Sequence, residues 1–119
     1  IRTCAGVHAG TLDVWDMCPY LSMVGSVEID VNVVDLTTDD KFTTQLRAQI
    51  ETDGSGNLTV ITSAASQVIH QDYTGYATQP NVAIVASGAT LQLDYDSINS
   101  NGTAWRAYVR FDIMPKSGL

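Results

Sequence analysis

From residue 27 onward the chain alternates. Val27, Ile29, Val31 and Val33 stand between Glu28, Asp30 and Asn32, the two-residue period of a strand with one face in a core and one in water. Phe42, Thr44, Leu46, Ala48 and Ile50 alternate likewise with Thr43, Gln45, Arg47, Gln49 and Glu51, after a turn at Thr37-Thr38-Asp39-Asp40. Asp53-Gly54-Ser55-Gly56-Asn57 predicts a hairpin, because two glycines reach positive φ at little cost between runs of β-formers. Residues 58–62 and 67–72 follow as short strands, joined by Ser63-Ala64-Ala65-Ser66, which also suits one helical turn. Residues 81–86 and 89–95 are two more, split by Ser87-Gly88. Residues 104–114 form a last long strand, with Trp105, Ala107, Val109, Phe111 and Ile113 on one face and Arg106, Tyr108, Arg110 and Asp112 on the other.

About seven or eight strands, punctuated by turns roughly every 8–12 residues, indicate an all-β protein, an antiparallel β-sandwich of jelly-roll-like type. No helical-period stripe competes, and the glycine motifs of Rossmann and P-loop folds are missing. Residues 1–26 behave differently. Gly6, Gly10 and Pro19 are mixed with Trp15, Met17, Tyr20, Leu21 and Met23 without a sustained period, so this stretch reads as an irregular N-terminal arm ahead of a sandwich domain at residues 27–119. A short helix over residues 11–16, capped by Thr11, is the local alternative. Apolar side chains on an arm require cover from their own domain or from a neighbouring subunit. That makes Trp15, Met17, Tyr20, Leu21 and Met23 candidate attachment residues.

Composition narrows the function classes. With 119 residues, 45% apolar and 16% charged, the chain has material for one packed domain, and no apolar run approaches the roughly 20 residues of a membrane span. Thirteen acidic against six basic side chains give a net charge of −7, the wrong sign for a nucleic-acid partner. The chain starts on Ile1 instead of Met and shows no secretory signal, so localisation is not read from that end. Cys4 and Cys18 fit either a small disulfide loop or two buried thiols, and neither stands in a zinc-binding spacing.

Catalytic machinery is thin. The two histidines, His8 and His70, stand in no recognisable motif, Gly-x-Ser-x-Gly is missing, and the acids form no signature pair, so a non-enzymatic protein without a cofactor is expected. The Asp53 loop fails as a calcium loop, with Leu58 where glycine is needed and Ala64 where the bidentate glutamate belongs. Asp94 and Asp96 share a strand face and, joined by Asp72, form a candidate hard-cation site, although a solvated acidic face is the simpler reading. Asn57-Leu58-Thr59 and Asn101-Gly102-Thr103 match the glycosylation triplet, which a chain rich in Asn and Thr produces by chance. Tyr20, Tyr73 and Tyr76 offer faces for sugar stacking, but loop tyrosines more often pack on their own fold or on a subunit. Arg106 and Arg110 flank Tyr108 on the polar face of the last strand. These three are candidates for a subunit or ligand contact, and cross-strand pairing of the arginines with Glu28 or Asp30 is the simpler alternative.

Over residues 27–114 the order of features resembles the small jelly-roll modules of tailed-bacteriophage virion proteins, found in tail fibres and on capsid surfaces. The likeness runs through the alternating valine strand, Thr44-Gln45-Leu46-Arg47-Ala48-Gln49-Ile50, Gln71-Asp72-Tyr73 and Ala89-Thr90-Leu91-Gln92-Leu93. Its most specific part is Asn101-Gly102-Thr103-Ala104-Trp105-Arg106-Ala107-Tyr108-Val109-Arg110. The resemblance implies a structural, often trimeric, building block at the virion surface. Its expected partners are copies of itself, capsid or tail proteins of the same particle, and a host-surface receptor, with no membrane insertion. Capsid decoration is the first expectation, a tail-fibre or receptor-binding module the second, and a secreted carbohydrate-binding or adhesion domain the third.

Overall fold

The computed structural model describes residues 2–7, 9–17, 19–76, 79–96 and 101–118; for residues 2–7 and 9 only the backbone path is described. Nine antiparallel strands are present among these residues: β1 (Arg2–Val7), β2 (Ala9–Asp16), β3 (Met23–Asp35), β4 (Lys41–Thr52), β5 (Leu58–Val60), β6 (Val68–Thr74), β7 (Asn81–Ser87), β8 (Thr90–Asp96) and β9 (Thr103–Pro115). One helical turn, α1 (Ala64–Gln67), precedes β6. The six-stranded sheet runs β1-β9-β3-β4-β5, with β6 also on β4, and the three-stranded sheet runs β2-β8-β7. The first strand lies on the last and the second on the last but one, which is the wrapping of a jelly roll.

The alternation read in the sequence sets the core. Val27, Ile29, Val31 and Val33 of β3 and Phe42, Leu46, Ala48 and Ile50 of β4 are buried against Ile84, Leu91, Leu93 and Tyr95 of the smaller sheet. Each large apolar side chain so buried contributes about 1.5–3 kcal/mol. The hairpin forms where two glycines predicted it. Asp53 Oδ1 accepts the backbone N–H groups of Ser55 (2.8 Å) and Asn57 (3.0 Å), and Gly56 takes φ +86°. These bonds to the ionised carboxylate hold the pKa of Asp53 below its ordinary value. At Gly25 the β3 and β9 backbones approach so closely that a Cβ would collide with the Asp112 carbonyl.

The stretch expected to be an irregular arm instead supplies β1 and β2, one to each sheet, and the helical alternative at residues 11–16 is a strand. A bulge between Asp13 and Trp15 explains why no period is visible there. Leu12 and Val14 face inward, the slip sets Trp15 opposite Leu91 on that same side, where its ring lies partly exposed, and Met17 is buried again. The Met17 backbone N–H donates to the Ala89 carbonyl at 2.8 Å, fastening the end of this segment to the turn before β8.

Two polar side chains stitch the ends. Asp35, 1% exposed, accepts the N–H groups of Thr37 (2.8 Å) and Thr38 (3.0 Å) and the Asn101 amide (3.0 Å), closing the β3–β4 turn onto the start of β9. Gln67, also 1% exposed, accepts the Ile84 N–H at 2.7 Å and donates to the Ile84 carbonyl at 2.9 Å. Its amide thus stands where a neighbouring strand's peptide would stand.

Candidate functional site

The two sheets are unequal, and the difference makes a cleft. In the β4–β6 register Gln71 lies opposite Thr44 and Tyr73 opposite Phe42, so both project on the core face of the larger sheet. Six strands against three leave β6 beyond the smaller sheet's edge at β7. The resulting cleft of about 500 Å³ has Phe42, Val68, Pro80 and Val82 as apolar walls, and Thr44, Gln71, Gln79, Asn81, Asp94 and Asp96 as its polar groups. Amides supply both donors and acceptors, and carboxylates supply acceptors alone. This set suits a neutral, hydroxyl-rich ligand and repels an anion.

The predicted residues are scattered by the fold. Tyr73 is 46% exposed beside the cleft, but Tyr76 is only 8% exposed and belongs to the core, which corrects its expected role in a contact loop. Tyr76 shares that interior with Tyr95 and Trp105, whose rings stack at 5.7 Å. Burial raises the pKa of both tyrosines, most strongly at Tyr95. The two hydroxyls face each other inside the core, and the Trp105 indole N–H has no hydrogen-bond partner among the described residues.

Met17, expected to anchor on a partner, is 1% exposed and fills this domain's own core; Met23 is half-buried in β3. Trp15, Tyr20 and Leu21 remain on the surface, with Trp15 tilted against Phe111 at a ring distance of 6.1 Å. On the outer face of the larger sheet, Arg110 pairs with Glu28 at 2.7 Å, the cross-strand partner read as the simpler alternative. That bond lowers the pKa of Glu28, assisted by the Gln45 amide, and raises that of Arg110. Arg106 stands opposite Asn32 and Tyr108 opposite Asp30, both exposed.

The candidate cation site is divided. Asp94 and Asp96 line the cleft, whereas Asp72 lies opposite Thr43 on the outer face and bonds His70 at 2.9 Å. Among the described residues no three His, Cys, Asp or Glu side chains gather to hold a metal. His8, Cys18 and residues 97–100 lie outside the described residues, and so does the Cys4–Cys18 pairing. Gln71, Gln79 and Asn81 were not singled out from the sequence. Their only signal is the unequal width of the sheets, which a strand pattern does not carry.

No helix among the described residues is long and apolar enough to cross a membrane. Neither a protein-family model nor a curated protein sequence matches the chain. Among solved structures it is similar to the tailspike protein of Acinetobacter phage vB_ApiP_P1, with a TM-score of 0.53 and 9% identity. The likeness covers 95% of this chain but 22% of that one, so the chain spans about a fifth of the tailspike's length, and what the two share is the fold.

Proposed function

We propose that this chain is a non-enzymatic module of a bacteriophage virion, of tailspike or tail-fibre type, which presents the cleft beside β6 to a glycan of the host surface. The observation that carries the reading is the cleft itself: apolar walls rimmed by Gln71, Gln79, Asn81, Asp94 and Asp96 in a fold shared with part of a phage tailspike. Neutral sugars present apolar ring faces and many hydroxyls, which match those walls and amides. The negative net charge disfavours anionic polymers such as nucleic acid. Short length, acidity and an arm ahead of a single sandwich favoured capsid decoration. With β1 and β2 paired into the sheets the arm drops out of that case, and the tail reading comes first.

The test is an array of neutral bacterial surface polysaccharides probed with the purified protein. Retention of at least one is expected, weakened about tenfold by Asn81→Ala or Asp94→Ala, the loss of one hydrogen bond of roughly 1.5 kcal/mol. Retention of none, or retention indifferent to both substitutions, overturns the glycan reading.

A further inference from the structure

The outer face of the larger sheet holds a hollow of about 670 Å³ that the proposed function does not use. It opens over Ser26, the smallest of the outward side chains Val24, Ser26, Glu28 and Asp30 of β3. One wall is the chain crossing from β5 to β6. There the Ile61 N–H donates to the Gln49 carbonyl and Thr62 Oγ1 accepts the Gln49 N–H, each at 2.8 Å, which stands Thr62 and Ser66 beside β4. Ile69, the extra residue of a bulge in β6, continues that wall and is 54% exposed. Asp112 and Met114 of β9 lie across β3 from it. Both edges of β3 and β4 are occupied along this stretch, so the hollow is built over interior strands and owes nothing to a sheet edge.

Arg47 stands at one end of the hollow with its charge unspent. Its cross-strand neighbour Glu28 is engaged through both oxygens, Oε2 by Arg110 at 2.7 Å and Oε1 by the Gln45 amide. Arg47 therefore acts on Glu28 only through space, and its guanidinium has no ion pair or hydrogen bond among the described residues. A smaller recess of about 220 Å³ adjoins and shares Ser26, Arg47 and Asp112. The net charge of −7 is also unevenly spread. Strands β2, β7 and β8 carry Asp13, Asp16, Asp94 and Asp96 and no basic residue, whereas Lys41, Arg47, Arg106 and Arg110 project from the outer face of the larger sheet and Lys116 bonds Glu51 on it. An anionic group finds its countercharge on this face.

We infer that the hollow is a binding site for a monoanionic sugar, a hydroxylated ring bearing one carboxylate. A guanidinium offers a planar fork of donors that matches a carboxylate with two parallel bonds. The hydroxyls of Ser26, Thr62 and Ser66 and the Gln49 amide both donate and accept, and Asp112 accepts from ring hydroxyls. Two strand spacings and a two-residue offset put the backbones of Arg47 and Asp112 roughly 12 Å apart, so one ligand can present its carboxylate to the first and its hydroxyls to the second. Ile69 and Met114 supply apolar surface for the C–H face of the ring. One surplus guanidinium matches one carboxylate; a polyanion would meet Glu28, Asp30 and the negative field of the whole chain. The cleft beside β6 includes Phe42 and Thr44 of the inner face, so the two sites lie on opposite sides of the larger sheet and the inference is independent of the neutral-glycan reading.

The experiment titrates the isotope-labelled chain by NMR with methyl β-glucuronide, with methyl β-glucoside, which lacks only the carboxylate, and with acetate, which lacks the ring. The glucuronide is expected to shift the backbone amides of Ser26, Gln49 and Thr62 with a dissociation constant in the millimolar range, and the other two probes to bind at least about tenfold more weakly. Arg47→Gln should weaken the glucuronide by at least about tenfold and keep the peak dispersion of the parent, because Arg47 is exposed and supports no other side chain. Ser26→Leu, which fills the hollow, should abolish the shifts, and Asn81→Ala in the other cleft should leave them unchanged. Binding of the glucoside or acetate within tenfold of the glucuronide, shifts centred on Asn81 and Asp94, indifference to Arg47→Gln, or no shift at all overturns the inference. Failure of the neutral polysaccharide array leaves these shifts untouched, so the two readings fall separately.

Discussion

Single side chains settle where this fold is brittle. Asp35 is buried with three donors aimed at it. Asp35→Ala strands the N–H groups of Thr37 and Thr38 and should lower the unfolding free energy by about 2–4 kcal/mol, read as a shift of the urea midpoint, with a smaller loss for Asp35→Asn. Acid sensitivity has a local source as well. Arg110 lowers the pKa of Glu28 below its ordinary 4.5, and backbone N–H groups lower that of Asp53 below its ordinary 3.8. In each case the unfolded chain binds the proton more readily. The stability they contribute is therefore fully present above those ordinary values and is lost as the pH falls through the lower folded ones. Glu28→Gln and Asp53→Asn should each flatten the acid limb of a stability–pH profile below about pH 4.5. A variant as steep as the parent would assign the acid response elsewhere.

At the scale of elements, the strands from β3 onward follow directly from residue alternation and turn chemistry. Val27 to Val33 and Phe42 to Ile50 could bury only one face, and the Asp53 loop could only turn. The first two strands were illegible for a definite reason: the bulge beside Val14 breaks the period, and their partners, β9 and β8, lie at the other end of the chain. The cleft was illegible because it depends on how many strands each sheet recruits. Asp94 and Asp96 were read as acids sharing a face, which they are, but Asp72 points away from them. An arm could be removed without harm to the domain, whereas β1 and β2 cannot. Deleting residues 1–17 removes Val14 and Met17 from the core and bares the edges of β8 and β9. The product should lose its near-ultraviolet circular dichroism and its cooperative melt; a sharp melt within a few degrees of the parent would restore the arm.

As a whole, the molecule is a slim brick, 49 × 23 × 20 Å, with a radius of gyration of 14.9 Å against about 13.5 Å for a compact chain of its length. Closing it requires the first strand to find the last, so much of the loop entropy is spent before the sandwich seals. Refolding from urea should accordingly take milliseconds to seconds, the range of all-β domains dominated by distant pairings, and a microsecond phase carrying the full amplitude would contradict this topology. The smaller sheet, finally, ends at β7 with no described strand beyond it, yet the N–H and the carbonyl of Ile84 are already taken by the Gln67 amide. One glutamine thus works as a stopper on a surface that would otherwise recruit foreign β-structure. Gln67→Leu would keep the volume and remove the stopper, turning the brick into a seed for fibrils that thioflavin fluorescence would register on storage.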